Sequence, residues 1–125
     1  MRFTVFSAGT RLGTSNLEHL DHGMGVASGG FSPEPGYASV SRVFRKYGDA
    51  HGDDGTLDQP LLERLWQERD ALGLRVVAPD GSDLLVAWVM IYDFGEEAGK
   101  DGYRIDVCLE SQTDIAAYWP QPEST

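Results

Sequence analysis

Apolar residues are densest between Leu74 and Phe94. There Leu74-Arg-Val-Val-Ala is followed by the turn cluster Pro79-Asp-Gly-Ser-Asp83 and an unbroken apolar run from Leu84 to Tyr92. The pattern predicts an antiparallel hairpin with strands at about 75–79 and 84–94. Both alternating rows of the second strand are apolar: Leu84, Val86, Trp88, Met90, Tyr92 and Phe94 on one, Leu85, Ala87, Val89 and Ile91 on the other. Such a strand belongs inside a sheet that is covered on both faces. Tyr103, Ile105, Val107 and Leu109 alternate with Arg104, Asp106, Cys108 and Glu110, which predicts a strand over 103–109 with one wet face. The β-forming residues of 2–7 predict a short N-terminal strand.

Helical spacing appears in other stretches. Leu61, Leu62, Leu65, Trp66 and Leu72 form a stripe that predicts a helix over 58–72. Asp58 is placed to cap it, Pro60 falls in the first turn, and Gly73 stands where a left-handed end belongs. Tyr37, Val40, Val43, Phe44 and Tyr47 predict a second helix over 37–47, ended by Gly48. Ser15-Asn-Leu-Glu18 has the spacing of a capping box and predicts a short helix over 16–22 with Leu17 and Leu20 inward. The glycine-rich segment 24–31 fits either a bulged strand or an irregular stretch, and 114–119 fits either a short helix or an edge strand.

Together these elements predict an α+β fold. A single antiparallel sheet would contain a three-strand meander (75–79, 84–94, 103–109) and the N-terminal strand, with the helices packed mainly on one face. One globular domain over 1–119 and a tail over 120–125 are expected. The second face of 84–94 then needs a cover. The candidates are the glycine-rich segment, Tyr118 and Trp119, or a second copy of the chain in a homodimer.

Charge narrows the partners. Residues 1–50 hold five basic and four acidic residues, and residues 51–125 hold five basic and sixteen acidic, for a net charge of −10. That balance disfavours nucleic acid and anionic membrane, whose phosphates are held chiefly by Lys and Arg. It favours a basic protein partner, steered by an acidic surface. The apolar start of the chain is too short and too interrupted for a secretory leader, and no apolar run is long enough to span a bilayer. The single cysteine, Cys108, suits a reducing compartment, so the cytoplasm is expected.

Glu18, His19, Asp21 and His22 form the densest set of candidate metal ligands, with His51 as the only distant histidine. No zinc-protease spacing is present, and on a helix these residues would also make an ordinary polar face. The stretch 50–61 lacks three of the ligands of a calcium loop. The glycines of 23–30 miss the third position of a dinucleotide fingerprint. Asp106 and Glu110 flank Cys108 on one strand face, which disfavours a thiolate nucleophile. Arg42, Arg45 and Lys46 form one basic cluster, expected to pair within the chain.

No cofactor is implied. The leading expectation is a small acidic, non-enzymatic interaction module, whose concrete form is an inhibitor or immunity-type protein that masks a basic partner. Asp93, Glu96, Glu97, Asp101 and Asp106 would supply its acidic face, with Tyr118 and Trp119 as aromatic anchors. The alternative is a small-ligand or metal-binding protein built on residues 18–22 and the glycine-rich segment.

Overall fold

The computed structural model describes residues 2–50, 59–93 and 102–120, with side chains of 47–50 left aside. Its strands are β1 (Phe3–Ser7), β2 (Thr10–Ser15), β3 (His19–Asp21), β4 (Val26–Pro33), β5 (Leu74–Val77), β6 (Val86–Asp93) and β7 (Tyr103–Leu109). The helices are α1 (Ser41–Ala50), α2 (Gln59–Ala71) and α3 (Gln112–Tyr118), with a 3-10 turn at Pro35–Ser39 before α1. The fold is therefore mixed, with one mostly antiparallel sheet that is nearly barrel-shaped.

The strand order is β5-β1-β2-β4-β7-β6, and β3 also pairs with β4. β2 and β3 lie in turn along the same edge of β4, with Ser15 opposite Phe31 and His19 opposite Ser28. The register shifts by one residue between them, so they are one strand interrupted by a bulge over 16–18. Leu17 carries the bulge with a φ of 42°, and its amide donates to Ser15 Oγ at 3.1 Å. The helix expected over 16–22 is thus a bulged strand. The Ser15 hydroxyl does accept an amide, but two residues on rather than three. Pairing with β4 satisfies the backbone that a two-turn helix would have left to water.

β4 is the glycine-rich segment, and it lies between β2 and β3 on one side and β7 on the other. Gly29 explains why glycine is needed there. A Cβ on Gly29 would stand 3.1 Å from the Leu17 amide nitrogen and 3.0 Å from Ser15 Oγ. The bulge seats itself on that missing side chain.

The meander is revised. β6 and β7 do pair in antiparallel register, Val89 with Val107 and Ile91 with Ile105. β5 instead pairs along its length with β1, Thr4 opposite Val77 and Ser7 opposite Leu74. It meets the approach to β6 only at the Val77–Asp83 bridge, beside a 2.9 Å bond from the Leu84 amide to the Val76 carbonyl. Between these two points the turn expected at 79–83 does form, with Gly81 at a φ of 90°. Beyond the bridge β5 and β6 diverge, and that seam is where the barrel stays open.

Inward residues fill the barrel: Phe3 and Val5, Leu12, Ala27 and Phe31, Val76, Val89 and Ile91, Ile105 and Val107 are all buried. This answers the question of the two apolar faces of β6. The inner face lines the barrel, α2 lies beside the outward row at Trp88, Met90 and Tyr92, and α1 also packs on the strand. Met90, on the outward row, is accordingly buried. α1 begins later than expected, because Pro35 starts a 3-10 turn first, and it runs on past Gly48 to Ala50. α2 matches its expected span, with Leu62 and Leu65 buried and Trp66 only half-buried. Asp58 lies outside the described residues. Gly73 ends the connection with a φ of 64°.

The stretch 114–119 is helical. Ser111 caps α3 by accepting the Asp114 amide at 3.2 Å. The helix delivers Trp119 to the barrel, where it stacks on Phe3 with centroids 5.1 Å apart. Its indole Nε1–H donates to the carbonyl of Leu17 at 2.7 Å. The bulge therefore has a purpose in packing: it turns a backbone carbonyl toward a buried tryptophan. Among the described residues no helix is long and apolar enough to cross a membrane.

Candidate functional site

The end of β6 carries a buried polar cluster. The Asp93 side chain is 0% exposed and accepts from Tyr37 Oη–H at 2.8 Å and from Arg45 Nε–H at 3.3 Å. Burial, then the hydrogen bond to the Asp93 carboxylate, push the Tyr37 hydroxyl well above the ordinary tyrosine value. Tyr37 also packs edge-on against Phe31 and Tyr103, so the cluster is locked into the aromatic end of the core. Asp93 is therefore an interior residue.

Of the other acidic residues named for the partner face, only Asp106 falls among the described residues. Glu96, Glu97 and Asp101 lie outside the described residues. Asp106 is half-buried on the outward row of β7, between Ser28 and Met90. Of the two aromatic anchors, Trp119 is buried beneath the bulge, and Tyr118 is half-buried with its hydroxyl donating to Asp80 at 2.9 Å. That bond raises the Tyr118 pKa and, after the Ser82 amide, helps lower that of Asp80.

Residues 18–22 do not converge on an ion. Glu18 and His19 lie in and just after the bulge, and Asp21 Oδ1 accepts the Met24 amide of the following turn at 3.1 Å. His22 lines a recess of about 350 Å³ beside Ile115 and Trp119 of the α3 end. Among the described residues no group of three or more His, Cys, Asp or Glu side chains is placed to hold a metal. His51 lies outside them. Of the basic cluster, Arg45 pairs with Asp93, while Arg42 and Lys46 are exposed and have no acidic partner among the described residues. Cys108 sits half-buried on the outward row of β7, opposite Trp88.

A different set of residues forms a recess on the sheet. α2 covers the outward row of β6 incompletely, and Trp66, Arg69, Trp88, Met90 and Tyr92 line a cavity of about 360 Å³ there. Arg69 is the hinge of its chemistry. Its side chain is 11% exposed, its Nε–H reaches Asp70 Oδ1 at 3.1 Å, and its guanidinium lies 5.6 Å from the centroid of the Trp88 ring. A smaller recess of about 180 Å³ continues from it into the open seam, between Gly73 and Leu74 on one side and Val86 to Val89 on the other. Arg69 and Trp88 line both.

Trp88 and Tyr92 stand four residues apart on one row of β6, and Trp66 and Arg69 three apart on α2. Both spacings are visible in the chain. What the chain hides is that α2 stops short of covering β6. Searches of protein-family models, curated proteins and solved structures gave no match to this chain.

Proposed function

We propose that the chain is a protein-interaction module that docks a basic partner, in the manner of an inhibitor or immunity-type protein masking a basic toxin or nuclease. The observation that supports it is the recess between α2 and β6. It gathers Trp66, Trp88, Tyr92 and Arg69, the residue types that dominate binding energy at protein interfaces, around one cavity. Aromatic faces also attract cations, and Arg69 already places a guanidinium over Trp88 from within the chain. A net charge of −10 favours a basic partner on approach.

An oligoarginine peptide is the simplest probe, with oligoglutamate as control and tryptophan emission as the signal. The expected result is saturable quenching by oligoarginine alone, weakened as salt rises and lost in Trp88→Ala at unchanged folding. Equal response to both peptides, or unchanged binding by the Trp88→Ala variant, would refute the reading.

A further inference from the structure

Charged side chains leave water only where something pairs with them. The Arg69 side chain is 11% exposed, and its pairing within the chain is incomplete. A guanidinium carries five N–H donors in a fixed fork. The Nε–H is spent on Asp70 Oδ1 at 3.1 Å, a carboxylate that is itself 62% exposed and therefore screened by water. The N–H groups of the two terminal nitrogens have no acceptor among the described residues. No sealed side-chain nitrogen among those residues lacks a partner, so both terminal nitrogens reach open space. The space that Arg69 lines is the pair of recesses beside Trp88.

The aromatic walls are incomplete in the same sense. Trp119 stacks on Phe3, but neither Trp66 nor Trp88 meets another ring among the described residues. Met90, in the same lining, is a polarisable group that packs well against ring edges. We infer that this recess is a small-molecule site for a planar aromatic carboxylate. The carboxylate accepts two parallel N–H bonds from the unspent end of the Arg69 fork. The ring lies against Trp66 and Trp88. A cavity of about 360 Å³ is at the small end of the range for ligand pockets, which suits a compact ligand of fused rings. Two nearby carboxylates limit its charge: Asp70 beside Arg69, and Asp106 opposite Met90 on β7. They favour a singly charged carboxylate over a doubly charged phosphate ester. The inference stands on Arg69 and the two tryptophans, and it holds with or without the docking of a basic partner.

The probe is naphthoate, compared by calorimetry with naphthamide, naphthyl phosphate and the naphthylmethylammonium cation. The expected result is saturable binding of one naphthoate per chain, with each of the other compounds about tenfold weaker or more. Arg69→Lys keeps the charge and loses the fork, and should weaken naphthoate by a similar factor. On binding, the indole N–H resonances of Trp66 and Trp88 should shift while that of Trp119 stays in place. Failure of naphthoate to bind, equal or tighter binding of any of the other three, or a shift confined to Trp119 would overturn the inference. So would an Arg69→Lys variant that binds as wild type does. If that variant does not fold, the compound series and the resonances of the wild-type chain decide the matter.

Discussion

Replacing Tyr37 with phenylalanine removes one oxygen atom from the interior and nothing else of substance. The ring keeps its place among Phe31, Phe44 and Tyr103. What is lost is the 2.8 Å hydrogen bond to a carboxylate whose side chain is 0% exposed and which Arg45 still reaches at 3.3 Å. Hydrogen bonds to charged groups are worth about 1.5–3 kcal/mol, so Tyr37→Phe should cost about 2 kcal/mol at pH 7.

The pH dependence separates this cause from a packing defect. Tyr37 has its pKa raised in the folded state above the ordinary 10.0, so its contribution is fully present below pH 10 and is lost as pH rises further. Above pH 10 the unfolded chain releases this proton and the folded chain keeps it. One such group lowers stability by at most about 1.4 kcal/mol per pH unit. The wild-type protein should therefore lose stability between pH 10 and 12 faster than Tyr37→Phe, and the gap between them should narrow. Urea titrations followed by tryptophan emission at both ends of that range measure it. Equal stability at pH 7, or a gap that stays constant to pH 12, would show that the buried bond does not contribute as argued.

Two further substitutions probe the barrel. Gly13→Ala would place a Cβ within 2.7 Å of Phe31 Cζ and against the Ser32 carbonyl. The backbone must move, and thermal melting should show a loss of about 3 kcal/mol or failure to fold; a variant as stable as wild type would mean that β2 and β4 are spaced differently. Trp119→Phe keeps an aromatic ring over Phe3 but leaves the Leu17 carbonyl without its donor. A cost of about 1–3 kcal/mol is expected by denaturant titration, whereas no change would mean that the bulge carbonyl finds water.

The elements best seen in the chain were those whose stability is local. α2 has a stripe, a proline in its first turn and a terminal glycine, all within fifteen residues or so. The turn at 79–83 and the alternation of β7 are equally self-contained. The elements missed were those whose reason lies elsewhere in the fold. Ser15-x-x-Glu18 satisfies a helix-capping pattern, yet the stretch is a bulge because Gly29, on another strand, leaves room for it. In the chain β4 fits either a bulged strand or an irregular stretch, because its glycines hide the alternation and its strand character comes from neighbours on both edges. β5 looked like half of a hairpin because the turn after it is real, but it spends its length on β1. The candidate site follows the same rule. Trp66, Arg69, Trp88 and Tyr92 are plain in the chain, and their meeting depends on where one helix stops along one strand.

The bond from Trp119 to Leu17 spans 102 residues. Its consequence concerns the order in which a newly made chain acquires shape. At the ribosome the β1–β2 hairpin emerges before the other described elements, with the side of Phe3 that Trp119 will cover still exposed, and the bulge carbonyl beyond it without a donor. β1 cannot gain β5 until the helices have been made, and β4 cannot gain β7 until later still. Loop closures this long are slow, and the tryptophan that seals the N-terminal strand is among the last described residues to arrive. Until then the β1–β2 hairpin is the part most in need of protection from other chains.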